Sequence, residues 1–300
     1  MTEAAGPPAA PATRPPLTRT ARFAWIAVVV IVVLVIALVV VALTHTTVIE
    51  RNVQPAPVAT STLADLTSLP TSAFDAVGVS APTSGVQLPH VVRTGAPELT
   101  SGGKPLVFYT GAEYCPYCAA ERWAITAALA RFGTFSGLDV TKSSGTDVDP
   151  FTPTFSYRDA TYTSKYVSFF PIEQYTNIPA ASGGYTVLQN PTAAEQRVIT
   201  KYSSPTYVPG AQAGSVSFPF LDVDNKVLIS GASYSPGILS GMSHAEVASS
   251  LSNPHDLVTQ AIVGAANYIT AAICASTGQH PASVCTSSGV KAADRALKLG

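Results

Sequence analysis

The chain has 300 residues, of which 47% are apolar and only 12% charged, with a formal net charge of −1. That balance excludes charge-driven disorder of the whole chain and the basic footprint of a nucleic-acid binder. Four cysteines are too few for a disulfide-dense miniprotein, and the length allows one large domain or two small ones.

Residues 1–22 are rich in proline and poor in large apolar groups, which predicts a disordered tail. Phe23 to Leu43 is then apolar without interruption. A helix of about 20 such residues spans a hydrocarbon core. Arg14, Arg19 and Arg22 precede the span, and Arg51 is the one basic residue in the twenty that follow. The positive-inside rule therefore puts residues 1–22 in the cytoplasm and residues 44–300 outside. A cleaved signal peptide would have an apolar core of roughly 7–15 residues and a small-residue cleavage site. This core is longer and no such site follows it, so the expectation is an uncleaved, single-pass anchor in the cell membrane. The span does not explain the scarcity of charge; the abundant Ser and Thr of the exported part do.

Residues 44–62 have no clear period and read as a linker. Residues 63–80 read as a short helix or two turns, interrupted by Pro70 and Gly78. From Pro105 to Thr110 (PLVFYT) the run is short, apolar and rich in β-formers, as in a buried strand. GAEYCPYC follows, and then AAERWAITAALARFG, with Trp123, Ala127, Leu129, Ala130 and Phe132 at roughly helical spacing. Gly133 is the expected C-terminal cap. Thr192 with Glu195, and Ser243 with Glu246, are expected capping boxes. Asn253-Pro254, with Asp256 in the first turn, is expected to open a long amphipathic helix to about Ala275. Its apolar face would carry Leu257, Ala261, Ala265, Ile269 and Ile273. Between Ser215 and Gly231 the pattern is strand, turn, strand, with Asp224-Asn225 at the turn. Pro219 inside the first of these strands is anomalous, because proline removes a ladder donor.

The chemistry concentrates in Cys115 and Cys118. A C-x-x-C pair can be a redox pair, half a zinc site or two buried thiols. Its place at a helix N-terminus favours the redox reading, because the free N–H groups and the macrodipole stabilise a thiolate. Cys115 would then attack a substrate sulfur and Cys118 would resolve the mixed disulfide. Zinc needs two more ligands, and the histidines form no second paired motif.

Strand, C-P-Y-C, helix and a later proline opening an antiparallel hairpin resemble the thioredoxin fold. The fold class that this implies is α/β, a mixed sheet flanked by helices. The resemblance makes Pro219 the cis proline that faces the cysteines and presents substrate. The longer string GAEYCPYCAAERWA, with ALARFGTFSGL after it, resembles the domain-of-unknown-function family 929, over about Leu63 to the C-terminus. Tyr114 stands where thioredoxins carry Trp. Their buried acid, which transfers protons, would fall near Tyr109; Glu113 either takes over that role or is a plain surface residue. C-P-Y-C is the glutaredoxin dipeptide, but no glutathione site is legible.

Cys118 and Pro219 lie further apart than in a minimal thioredoxin fold, so residues of about 139–195 are expected to be inserted into a domain spanning 63–300. Eight aromatics fall between Phe151 and Tyr175, as an exposed recognition surface or as extra core. Cys274 and Cys285 are expected to form a structural disulfide; the other reading is a second redox pair. The functional expectation is a membrane-anchored, extracytoplasmic thiol–disulfide oxidoreductase without cofactor. Its partners would be protein thiols or disulfides, and a membrane redox partner such as a quinone-linked oxidase. The competing expectation is a binding or assembly module in which Cys115–Cys118 is a static disulfide.

Overall fold

The computed structural model describes residues 19–51, 55–79, 85–93 and 95–300. Most of the expected N-terminal tail, and residues 52–54 of the expected linker, lie outside them. The chain divides into two compact units, Met1–Val48 and Ile49–Gly300. The first is dominated by α1 (Arg19–Arg51). Its segment Trp25–Ala42 has a mean hydropathy of 3.5 and none of it is buried, so it is long and apolar enough to cross a membrane.

The second unit is a mixed α/β domain. In chain order it runs β1 (Ala56–Pro57), α2 (Thr60–Thr67), α3 (Thr71–Val77), β2 (His90–Val91), β3 (Thr100–Ser101), β4 (Lys104–Gly111) and α4 (Pro116–Ala130). Six short strands follow: β5 (Gly133–Ser136), β6 (Asp139–Lys142), β7 (Pro153–Ser156), β8 (Thr161–Ser164), β9 (Ser168–Glu173) and β10 (Tyr175–Pro179). Then come β11 (Tyr185–Val187), α5 (Ala193–Tyr202), β12 (Phe220–Val223), β13 (Val227–Ser230), α6 (His244–Ser250), α7 (Leu257–Ser276), α8 (Ala282–Cys285) and α9 (Ser288–Leu297).

Among the described residues, the main sheet has six strands. β4 is central: β9 runs parallel to it on one side and β12 antiparallel on the other, with β13 and β2 beyond β12 and the short β3 against the start of β4. Alternation sorts the side chains into two cores. Val107, Tyr109, Leu221, Val223, Val227 and Ile229 face the core that holds α4 and α7. Phe108, Phe220 and Leu228 face the other way, onto Ile199 and Tyr202 of α5. The order is thus strand, helix, parallel strand, helix, antiparallel hairpin, helix. Both flanking helices α4 and α7 are buried nearly all round, which fits their alanine-rich, unpatterned apolarity.

Several local expectations hold. Both capping boxes form, at Thr192–Glu195 and Ser243–Glu246. Asp224 and Asn225 take φ of 57° and 53°, and the Lys226 N–H closes the turn on the Val223 carbonyl at 2.9 Å.

Others are corrected. Gly133 does not cap α4; Arg131 does, and Gly133 opens β5, where a Cβ would strike the Thr163 carbonyl of β8. Asn253 does not cap α7. Its side chain is spent on an Asx turn to the His255 N–H at 3.1 Å, and Asp256 caps the helix by accepting from Val258 N at 2.8 Å. Nor is α7 amphipathic, since residues of every face from Val258 to Cys274 are buried while Leu257 is exposed. Residues 139–195 are not one insertion beside the sheet. β9 lies within that range and is the parallel neighbour of β4. Two separate pieces pair outside the main sheet, β5 to β8 before β9 and the β10–β11 hairpin after it. Phe155 and Tyr157 of the first piece are fully buried in the α4 core, whereas Phe170 is exposed.

Candidate thiol site

The site forms where β4 ends. Its last residues are buried, and the chain turns through Ala112–Tyr114 into α4. Cys115 is the N-cap, in extended conformation, with Pro116 at the first helical position. In place of the usual oxygen, the Cys115 Sγ accepts the Cys118 N–H at 3.2 Å. Both cysteines are unbonded thiols. Cys115 is 6% exposed and Cys118 fully buried, so the first cysteine is the more accessible, although far less open than a surface thiol.

The two sulfurs differ electrostatically. The Cys118 thiol donates to the Cys115 sulfur and lowers its pKa; burial opposes this, and the N–H groups of Cys118 and Tyr117 and the charge of Arg122 reinforce it. Burial pushes Cys118 well up, and the bond it gives to Cys115 adds to the shift. The arrangement therefore favours charge on Cys115 and a proton on Cys118.

Pro219 directly precedes β12. The Phe218–Pro219 bond is cis. Phe220, the next residue, pairs with Thr110 at the end of β4, and Phe218 packs on the cluster formed by Ala112, Cys115 and Cys118. Tyr114 and Tyr175 pack on the same cluster. The Tyr114 ring stacks on Tyr185 with centroids 4.0 Å apart and planes 5° apart. The β10–β11 hairpin thus contributes an aromatic wall beside Cys115. Burial first, and then the two cysteines, push the Tyr114 hydroxyl up to about 12.

Glu113 is not a surface residue. It is 1% exposed, and it accepts a hydrogen bond from Ser156 Oγ at 2.6 Å. Burial raises its pKa, against the Ser156 bond, with Glu173 raising it further. Sequence reasoning missed Arg122 and Glu173. They form a fully buried ion pair: Nε reaches Oε1 at 2.8 Å and Nη2 reaches Oε2 at 2.6 Å. The available signal was Arg122 itself, a cation in a helix with no polar face. Cys274 and Cys285 are disulfide-bonded, with Cα atoms 5.6 Å apart, and tie the end of α7 to α8. Among the described residues no group of three or more His, Cys, Asp or Glu side chains gathers to hold a metal.

No curated protein and no solved structure matches the chain. A family model described as a domain of unknown function (DUF929) matches residues 90–275, a narrower span than the expected 63–300. The match takes in both free cysteines, Arg122, Glu173 and Pro219, and covers more than half of the chain. The chain belongs to this domain-of-unknown-function family, DUF929.

Proposed function

We propose that this protein is a membrane-anchored thiol–disulfide oxidoreductase with a thioredoxin-like fold, acting outside the cytoplasm on protein thiols or disulfides. One observation carries the reading: the Cys115 sulfur sits at the N-terminus of α4, its charge favoured by the Cys118 thiol and by backbone N–H groups, beside the cis Phe218–Pro219 peptide. The strand order supports the fold, since β9, β4, β12 and β13 with α4, α5 and α7 follow the thioredoxin pattern of strand, helix, strand, helix, hairpin, helix. The apolar α1 and its basic N-terminal flank support a single-pass anchor with the C-terminal domain outside. The Cys274–Cys285 disulfide fits an oxidising compartment.

In this reading Cys115 attacks a substrate disulfide, and Cys118 then displaces the substrate from the mixed disulfide. Pro219 and the aromatic wall hold the substrate backbone beside Cys115. An anchor suits a partner in the same membrane that recharges the pair. The test is thiol exchange by the full-length chain in detergent. Cys115→Ser abolishes it, and Cys118→Ser accumulates mixed disulfides; exchange that survives Cys115→Ser refutes the proposal.

The near-burial of Cys115 favours a second reading, a binding module whose pair is a static disulfide. Its signature is a pair that stays oxidised below about −300 mV.

A further inference from the structure

Beneath the cysteines lies a set of polar groups that the attack by Cys115 does not use. Arg122 is four residues beyond Cys118 on α4, so the two side chains share a helix face. Glu173 holds its Nε and Nη2, and Nη2 also donates to the Ala112 carbonyl at 2.8 Å. Its third nitrogen, Nη1, is buried and has no hydrogen-bond partner among the described residues. The guanidinium carbon lies 5.8 Å from the centre of the Tyr109 ring. Tyr109 is fully buried too, and its hydroxyl likewise has no partner among the described residues.

Gly111 brings the Tyr109 hydroxyl and Cys118 to the same place. A Cβ at Gly111 would stand 2.9 Å from the Cys118 Sγ and would strike the Tyr109 hydroxyl. Two buried donors without a hydrogen-bond partner among the described residues thus act on one sulfur: the Tyr109 hydroxyl by its place beside Gly111, and Arg122 by the charge that acts on the Cys118 thiol. Native proteins rarely leave such donors unspent, and those that persist often serve function. Negative charge on Cys118 is what Arg122 already favours by its own charge.

We propose that the Tyr109 hydroxyl and the Arg122 guanidinium, the latter positioned by Glu173, form a donor site for the Cys118 thiolate and so speed the resolving step. This rests on the thiol-exchange reading. In that step the Cys118 sulfur attacks the Cys115 sulfur of the mixed disulfide. The Cys115–Cys118 bond forms as the bond from Cys115 to the substrate sulfur breaks. The substrate leaves as a thiolate with the bonding electron pair and takes up the proton that Cys118 has lost. The cysteine pair is oxidised and the substrate reduced. The donors act while charge lies on Cys118, and the proton already on Tyr109 stays there. The role is thus distinct from that of a carboxylate that removes a proton.

The test uses the full-length reduced chain in detergent, mixed with 5,5′-dithiobis(2-nitrobenzoate). Attack by Cys115 releases one equivalent of coloured thiolate, and closure by Cys118 releases the second. Tyr109→Phe deletes a hydroxyl that has no hydrogen-bond partner among the described residues, so the fold is retained. Its first release matches wild type, while its second is about tenfold slower, the scale of one hydrogen bond to a charged group. The pH midpoint of the second release moves upward with it. Should the Phe variant be unstable, Tyr109→Met gives the same two changes. A second release within twofold of wild type, or one slowed with no movement of its pH midpoint, overturns the donor site. A wild-type chain that releases no first equivalent refutes the thiol-exchange reading itself, a different result.

Discussion

Arg122 grips both carboxylate oxygens of Glu173, at 2.8 and 2.6 Å, with neither side chain exposed. The pair joins α4, which carries the cysteines, to β9, the parallel neighbour of the strand that leads to them. Removing one partner strands a buried charge. Arg122→Met should therefore destabilise the domain by about 3–5 kcal/mol. Replacing both, as Arg122→Met with Glu173→Leu, should restore most of that loss. Chemical denaturation of the three chains, followed by tryptophan fluorescence, checks the ordering.

The Cys118 thiol is the leading cause of the lowered Cys115 pKa. Cys118→Ala deletes that donor, so the Cys115 thiolate forms only at higher pH. The pH midpoint of iodoacetamide alkylation at Cys115 should move upward in Cys118→Ala, and should move less in Cys118→Ser, whose hydroxyl still donates. An unmoved midpoint in the alanine variant would assign the shift to the backbone N–H groups of the helix N-terminus and to Arg122.

Glu121, next to Arg122 on α4, is fully buried, and burial raises its carboxyl to about 7 against two bonds from Ser233. Its folded-state pKa exceeds the unfolded value, so its contribution to stability is complete below about pH 4.5 and fades as pH rises through 7. Glu121→Gln should remove a pH-dependent loss on the order of 3 kcal/mol across that window. Denaturation midpoints at pH 4.5 and 7.5, for wild type and variant, measure it. The buried Asp222, also raised to about 7 by desolvation, keeps part of the slope in the variant.

The local half of the site was legible and the distant half was not. C-P-Y-C between an apolar run and an alanine-rich helix fixes the cap and the cysteine geometry within a few residues. Pro219 betrayed itself as a proline in an apparent strand. The Arg122–Glu173 pair spans 51 residues, and no periodicity records such a partner. β9 was hidden for a related reason. Its aromatic run resembles the short strands around it, and only its pairing with β4, some 60 positions earlier, makes it part of the main sheet. The start of α7 was misread because Asn253 spends its cap chemistry on a turn of its own.

The Cys274–Cys285 bond closes a short loop, with a sequence separation of 11. On the chain-entropy account, Cys274→Ala with Cys285→Ala should cost about 2–3 kcal/mol. The thiol exchange of Cys115 should be untouched, since the disulfide ties α7 to α8 and lies in a cluster separate from that of Cys115 and Cys118. Loss of exchange in a folded double variant would instead favour a relay between the two pairs.

The reduction potential of Cys115–Cys118 tests the central claim most directly. The full-length chain in detergent is equilibrated with defined thiol–disulfide buffers, quenched by alkylation and counted by mass. An exchanging pair gives one reversible two-electron transition between about −120 and −270 mV, the range of known dithiol oxidoreductases. A pair still oxidised below about −300 mV would contradict the account and mark Cys115–Cys118 as structural.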